Sequence, residues 1–311
     1  MSKSPLREER DDTYEIFQIE ISAINTYINT FYHTVYPLHK DILQECIEYS
    51  LIAEGKRYRA LLCILCGELM GVEESDILPF AVAIEMIHTY SLIHDDLPAL
   101  DNDTMRRGKA THHICFGEAQ AILAGDALLT DAFYAMTLTQ CSAPRVMSAI
   151  REISIASGSN GMVAGQMLDM MGEKSGLSIE EIHRLKTGAI IQASCVVAGI
   201  LAGCSEQERE QLSEFGYSFG ILFQIVDDIL DEIGVSSELG KSVGKDKASG
   251  KKTFVTEYGL QIAREKAQEY YLKTCATLCR LQDIAVQKNS VERNSCTKLQ
   301  SLVDCVYNRI R

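Results

Sequence analysis

Two stretches of this sequence carry acids where acids are costly. "SLIHDDLPALDNDTMRRGK", at 91–109, ends an apolar run with Asp95 and Asp96, adds Asp101 and Asp103, then sets Arg106 and Arg107 beside them. "FQIVDDILD", at 223–231, places Asp227, Asp228 and Asp231 among Ile225, Val226, Ile229 and Leu230. Adjacent carboxylates repel, and partial burial strengthens the repulsion. Asp227 and Asp231 stand four apart, so one helix face carries both. A magnesium ion would relieve such a cluster, because it takes hard oxygen ligands and keeps waters that a phosphate can replace. Asp95 and Asp101 are six apart, which on an ideal helix points them to different faces. Pro98 lies between them and breaks or kinks the helix, so the chain can bring Asp101 back beside Asp95. A calcium loop is excluded: "DNDTMR" lacks the acid at its fifth position and the glycine at its sixth.

Cations follow each cluster. Arg106 and Arg107 follow the first; Lys241, Lys245, Lys247, Lys251 and Lys252 follow the second; upstream, "GKRYR" supplies Lys56, Arg57 and Arg59. Arginine forks suit bidentate phosphate contacts, and lysines act as point charges. Two acid walls with two cationic rims suit one diphosphate held through magnesium and a second anion held by basic side chains alone. The space between the apolar helices would be greasy, which suits a diphosphate head with a hydrocarbon tail.

The elements that must position these groups read as helices. Apolar residues recur at three- and four-residue spacing over 13–31, 40–53, 59–71, 76–96, 117–139, 145–172, 179–202, 206–233, 252–283 and 289–309. Ser178 with Glu181, and Ser205 with Glu208, read as capping boxes. No strand alternation and no Asn-Gly or Asp-Gly hairpin signal stands out. "GAIIQASCVVAGILAG" is apolar on most faces and belongs in the middle of a bundle. The irregular stretches that matter, 97–113 and 234–251, each follow an aspartate-bearing apolar helix.

Bulk properties agree with this. The 311 residues are 46% hydrophobic, enough for a sizeable core. No Gly/Ser-rich or low-complexity tract divides the chain, so one domain over 1–311 is expected, with 1–12 a flexible segment. A net charge of −13 argues against nucleic-acid binding, which needs phosphate neutralisation. No charge-free run is long enough to span a bilayer, and "MSKSPLREERDD" has no apolar targeting core. The eleven cysteines show no disulfide framework, and the Cys63/Cys66 pair sits inside an apolar run as packed thiols. A cytoplasmic protein without stable membrane insertion is expected.

The motifs together resemble one family. "HDDLPALDNDTMRRGK" is similar to the first aspartate-rich motif of the trans-isoprenyl diphosphate synthases, the farnesyl/geranylgeranyl diphosphate synthase group, in its bacterial and plant form. "FQIVDDILD" resembles the second motif, and "LKTG" at 185–188 and the two "GK" segments follow in the same order. The resemblance runs from "EGKRYR" to "YNRIR". It implies an all-α helical bundle around a deep central cavity, usually a homodimer. It implies head-to-tail condensation of isopentenyl diphosphate with an allylic diphosphate, dimethylallyl or geranyl, assisted by about three magnesium ions or by manganese.

Position by position, the resemblance assigns Asp95 and Asp101 to magnesium, with Asp96 in support, and Asp227 to magnesium from the opposite wall, with Asp228 and Asp231 nearby. Arg106, Lys186, Lys241 and Lys251 would hold the allylic diphosphate, with Thr187 and Gln224 lining its site. Lys56, Arg59, His88 and Arg107 would hold isopentenyl diphosphate. Gln166 and Asp169, in "GQMLD", resemble a further motif near the allylic diphosphate. Ala60 stands where the family has proline, Thr104 where an acid is common, and "GKKTFV" where it has "GKxTYP", so Lys252 stands beside Lys251. None of these removes a ligand named above.

Chain length in the family is set at positions just before the first aspartate, here Tyr90 and Ser91. Tyr90 reads as a floor that stops the product at farnesyl diphosphate, with geranylgeranyl diphosphate as the alternative, and Phe133 and Tyr134 would narrow the cavity further. A terpene cyclase would lack the second diphosphate site, and a non-catalytic partner subunit would have lost aspartates.

Overall fold

Capping chemistry fixes where several helices start. Ser178 and Ser205 each accept from the backbone N–H three residues on, and Glu181 and Glu208 reach back to complete both boxes. A third box, Thr253 with Thr256, starts a short helix after the second aspartate cluster.

The computed structural model describes residues 15–35, 42–53, 55–234, 252–288 and 293–310. Its helices are α1 Gln18–Thr30, α2 Ile42–Leu51, α3 Tyr58–Leu69, α4 Glu74–Asp95, α5 His112–Phe116, α6 Glu118–Met136 and α7 Ala143–Ser157. They continue with α8 Met162–Met171, α9 Ile179–His183, α10 Ala189–Ala202, α11 Glu206–Ile233, α12 Phe254–Tyr258, α13 Leu260–Gln287 and α14 Arg293–Tyr307. A π turn, Arg184–Gly188, joins α9 to α10, and a 3-10 turn, Asn308–Ile310, follows α14.

Three sequence expectations need correction. The run 145–172 is two helices, parted where Gly158 and Gly161 weaken helical continuity. The run 252–283 breaks at Gly259, whose φ is +81°. A small antiparallel hairpin also exists: β1 Met105–Arg106 pairs with β2 Lys109–Ala110. Its turn residues Arg107 and Gly108 have φ of +51° and +75°, as a two-residue primed turn requires. Two-residue strands are too short to show alternation, and only the glycine half of the turn signal is present.

Helices α4 and α10 form the centre. Ile77 to Ile87 are buried without interruption, as are Ala193 to Leu201. Glu74–Asp95 and Ile179–Ala202 reach the length and hydropathy of a membrane span, which the charge-free reading did not register. Their most apolar 18-residue stretches are 78% and 72% buried inside the protein, as core helices are. Cys63, Cys66 and Cys195 are buried, and burial pushes the Cys63 and Cys195 thiols well up, so they stay protonated core groups. Helix α14 returns to the first helices: Ser295 donates to Glu68 at 2.8 Å, and Lys298 pairs with Glu20. Residues 1–12, the expected flexible segment, lie outside the described residues.

Candidate active site

Helix α4 ends at Asp95, and the loop over Pro98 doubles back, so that the Asp101 N–H donates to the Asp95 carbonyl at 2.8 Å. This is the return the proline spacing anticipates. Asp95 therefore sits at the last residue of a 22-residue helix, where the carbonyl end of the dipole disfavours a carboxylate. Burial raises its pKa, and Asp101 and Asp96 push the same way; Lys186 and Arg106 pull against them.

Asp96 plays a different part. It is 3% exposed and grips Arg106: Nε lies 2.8 and 2.9 Å from its two oxygens, and Nη2 lies 2.7 Å from one of them. Burial works against the Arg106 charge, but the bonds to Asp96 and the nearby Asp95 and Asp103 outweigh it and hold the guanidinium protonated. The hairpin is thereby pinned to the end of α4.

The second cluster divides the same way. Asp228, 4% exposed, accepts from the Phe254 N–H at 2.8 Å and from Gln224 Nε2 at 2.9 Å. Gln224 Oε1 accepts from the Thr187 hydroxyl at 2.9 Å. The π turn, α11 and α12 are thus tied by one chain of hydrogen bonds. Gln224's oxygen is engaged with Thr187 in this chain, and the two side chains stand together as the sequence reading grouped them. Asp227 is more exposed and pairs with Arg309 at 2.8 Å. Asp231 is half-buried one turn further on.

Lys186 comes from the π turn and pairs with Asp169 of α8 at 2.6 Å. Gly165 allows this approach: a Cβ there would lie 2.1 Å from the Lys186 backbone nitrogen. Both amide atoms of Gln166 are buried without a hydrogen-bond partner among the described residues. His183, one turn before, is pushed down to about 3 by burial and stays neutral, its ring against Phe254.

Beyond Asp96 lies a cationic pocket. Arg59 Nη1 is 3.3 Å from His88 Nε2, and the buried Arg59 Nε has no partner among the described residues. Burial lowers the Arg59 pKa, while Glu85 and Asp227 oppose that. His88 is held well below the usual imidazole range, first by burial and then by Arg59, Arg107, Arg106 and Arg57, so it is neutral. Arg107 sits at left-handed φ against Gly55, where a Cβ would come within 2.8 Å of Nη1. Burial brings its pKa down to about 10, which leaves it charged. Lys56 Nζ lies 5.8 Å from the Tyr58 ring centroid.

The sequence reading passed over two residues here, Glu85 and Arg309, and gave Arg57 no separate role. Glu85, 2% exposed, takes Arg57 Nη1 at 3.1 Å and neutralises part of the arginine cluster from below. Arg57 also donates to the Leu51 carbonyl at 2.6 Å, so it serves the scaffold. A lone acid in the apolar run "FAVAIEMIH" was the available signal for Glu85. Arg309, in "YNRIR", had no signal beyond its charge.

Tyr90 is 7% exposed, edge-on to His94 at 5.7 Å; Ser91 Oγ bonds to the His88 carbonyl at 2.9 Å. Phe133 is partly buried against the core, but Tyr134 is 42% exposed and tilts onto Phe31, which does not suit a residue that narrows an interior cavity. Lys241, Lys245, Lys247 and Lys251 lie outside the described residues; Lys252 is described, 4.0 Å from Glu257.

The carboxylates fit a hard divalent cation. Asp95 and Asp101 are drawn together by the backbone while their charges oppose each other. Among the described residues, no three His, Cys, Asp or Glu side chains converge into a metal cage. Magnesium suits that arrangement, because it commonly takes one or two carboxylates and fills the rest with waters and substrate phosphate.

A helical fold with acid walls and a separate arginine pocket defines a class of enzyme that handles diphosphates. Residues 40–290 match the polyprenyl synthetase family model, and the chain belongs to that family. It is 47% identical over 267 residues to the farnesyl diphosphate synthase of Micrococcus luteus, covering 85% of this chain and 90% of that one. It is 43% identical to the large subunit 1 of the chloroplastic heterodimeric geranylgeranyl pyrophosphate synthase of Arabidopsis thaliana, covering 85% and 74%. Among solved structures, the geranyltransferase of Helicobacter pylori, complexed with magnesium and isoprenyl diphosphate, superposes with a TM-score of 0.79 at 27% identity. That superposition covers 99% of both chains. The protein is a prenyltransferase.

Proposed function

We propose that this enzyme condenses isopentenyl diphosphate head-to-tail with dimethylallyl and geranyl diphosphate and releases farnesyl diphosphate. The observation that carries this is the pairing of acid walls with a separate arginine pocket: the electrostatics differ, so the two diphosphates are held differently. The allylic diphosphate docks between Asp95, Asp101 and Asp227, with Lys186, Arg106, Lys241 and Lys251 around it and Thr187 and Gln224 lining the site. Isopentenyl diphosphate docks on Lys56, Arg59, His88 and Arg107. Neutral His88 offers one N–H and adds no further positive charge, while the buried Arg59 Nε has a donor to spare. Asp96 and Asp228 act as anchors.

Magnesium, about three ions in this reading, supplies the charge that lets the allylic diphosphate depart. The cations do the same work from the protein side, where preorganised donors meet charge that builds on the leaving group. The apolar walls of α4 and α6 keep water from the allylic cation. Its capture by the isopentenyl double bond forms the new carbon–carbon bond, and a proton is then lost, with the departed diphosphate the nearest base.

Tyr90 forms the floor of the cavity in this reading. Geranylgeranyl diphosphate is the alternative product, favoured by the Arabidopsis relative named for it. The whole chain acts as one domain, supported by the α14 contacts to α1 and α3. A cytoplasmic homodimer is part of the same proposal. Exposed Ile122 and Leu123 on α6, Met147 and Ile155 on α7, and Val163 and Met167 on α8 give a second copy apolar surface to cover.

One assay tests the reading. Purified protein is incubated with magnesium, radiolabelled isopentenyl diphosphate and dimethylallyl diphosphate; the products are dephosphorylated and separated by length. A dominant fifteen-carbon alcohol is expected. A twenty-carbon alcohol would transfer the proposal to geranylgeranyl diphosphate. No product from any allylic starter would overturn it in favour of a non-catalytic partner subunit.

A further inference from the structure

Asp227 has a counter-ion that comes from the far end of the described chain. Arg309, in the 3-10 turn Asn308–Ile310, donates from Nη1 to Asp227 Oδ1 at 2.8 Å. The arginine side chain is 7% exposed, against 30% for the aspartate. Several contacts build the turn into place. Tyr307 stacks on Tyr271 at 4.4 Å, and Ile310 is buried. Arg264 Nη1 donates to the Ile310 carbonyl at 2.7 Å, and the Arg309 guanidinium lies 5.9 Å from the Phe223 ring centroid. Helices α11 and α13 thus hold a cation over Asp227, a carboxylate of the second cluster whose partner lies outside the Gln224–Phe254 network of Asp228.

The geometry points to Arg309 as a built-in stand-in for the metal: it occupies Asp227 in the metal-free protein and must give way when a divalent cation binds. This rests on the reading of Asp227 as a magnesium carboxylate. A carboxylate oxygen that accepts a guanidinium N–H at this distance has that lone pair engaged, and a hard cation needs it. A guanidinium held beside a doubly charged ion would also be repelled. Metal binding at the second cluster and docking of the turn at 308–310 are therefore coupled. Whatever fraction of molecules has Arg309 seated on Asp227 lowers the apparent metal affinity by the same fraction. The seated arginine also relieves the repulsion among Asp227, Asp228 and Asp231 before substrate arrives.

The test compares wild type, Arg309→Gln, Arg309→Lys and Asp227→Asn. Manganese ion alone, without diphosphate, is titrated against each and the free ion counted by electron paramagnetic resonance. Amide hydrogen exchange of 300–311 is followed with and without the ion, and circular dichroism confirms folding. Arg309→Gln should bind manganese about tenfold more tightly than wild type. Arg309→Lys, which keeps the charge, should stay near wild type. In wild type the ion should speed exchange in 305–310, and Asp227→Asn should speed it without any ion. Equal or weaker affinity in Arg309→Gln, with exchange unmoved by metal, would overturn the proposal while leaving Asp227 as a ligand, provided Asp227→Asn loses manganese. If Asp227→Asn binds manganese as wild type does, the metal reading of Asp227 fails, and this proposal falls with it.

Discussion

Asp95 should cost the metal-free protein stability, and Asp95→Asn should return it. The carboxylate ends α4, facing the negative end of the dipole, an effect of roughly 0.3–1 kcal/mol near a helix terminus. Burial and the charges of Asp101 and Asp96 raise its pKa, so the folded state disfavours the ionised form at neutral pH. An acid whose folded pKa lies above its unfolded value burdens the fold above that pKa, and the burden disappears as pH falls through it. The isosteric amide removes the charge and keeps the backbone bond that receives the Asp101 N–H. With relief of repulsion added, the gain should be about 0.5–1.5 kcal/mol at pH 7 and vanish below about pH 4. Urea unfolding of both proteins in chelator measures it. Turnover should fall by at least about a hundredfold, because the group that opposes stability is the one placed for metal. Asp228→Ala is the contrast. It strips the acceptor from the buried Phe254 N–H, an orphan that costs about 1–3 kcal/mol, and from the partly buried Gln224 Nε2. Destabilisation of the metal-free protein by more than about 1 kcal/mol in Asp95→Asn would refute the contrast between Asp228 as an anchor and Asp95 as a carboxylate that burdens the fold.

The remaining predictions concern the floor, the close approach and pH. Tyr90→Ala should shift the dominant product from fifteen carbons to twenty or more, read by separating the dephosphorylated alcohols; an unchanged distribution would remove Tyr90 from the chain-length argument. Gly165→Ala should part α8 from the π turn, lowering thermal stability and loosening Lys186 from Asp169, because its Cβ meets backbone that cannot yield; near-wild-type melting would contradict the close approach. Stability should fall as pH drops below about 6.5, because the unfolded chain protonates His88 and His183 while the fold keeps them neutral, at up to about 1.4 kcal/mol per pH unit for each. Double substitution of these histidines by glutamine should flatten the slope between pH 6.5 and 5; an unchanged slope would place the titration elsewhere.

Much of this site is written in short-range patterns. The four-residue step from Asp227 to Asp231, the proline between Asp95 and Asp101, and the capping boxes at Ser178 and Ser205 depend only on local geometry, so the sequence fixes them before any packing is considered. The apolar character of α4 and α10 announces central helices for the same reason. What escaped is equally physical. A two-residue strand has no periodicity to detect, so the hairpin that carries Arg106 and Arg107 stayed hidden, although those arginines did not.

Tertiary structure decided which distant group holds each of the neighbouring aspartates. Local context does not separate Asp95 from Asp96, or Asp227 from Asp228, since both members of each pair are acids in the same apolar surroundings; only the family resemblance gave them different parts. The difference comes from partners ten, 26 and 82 residues away: Arg106 on Asp96, the Phe254 N–H on Asp228, and Arg309 on Asp227. The same holds for neutral His88, whose state is set by burial among arginines from α3, its flank and the hairpin. Residue types and local spacing named the chemistry; contacts between distant segments assigned each group its charge and its task, because charge depends on desolvation and on neighbours that only the folded chain brings near.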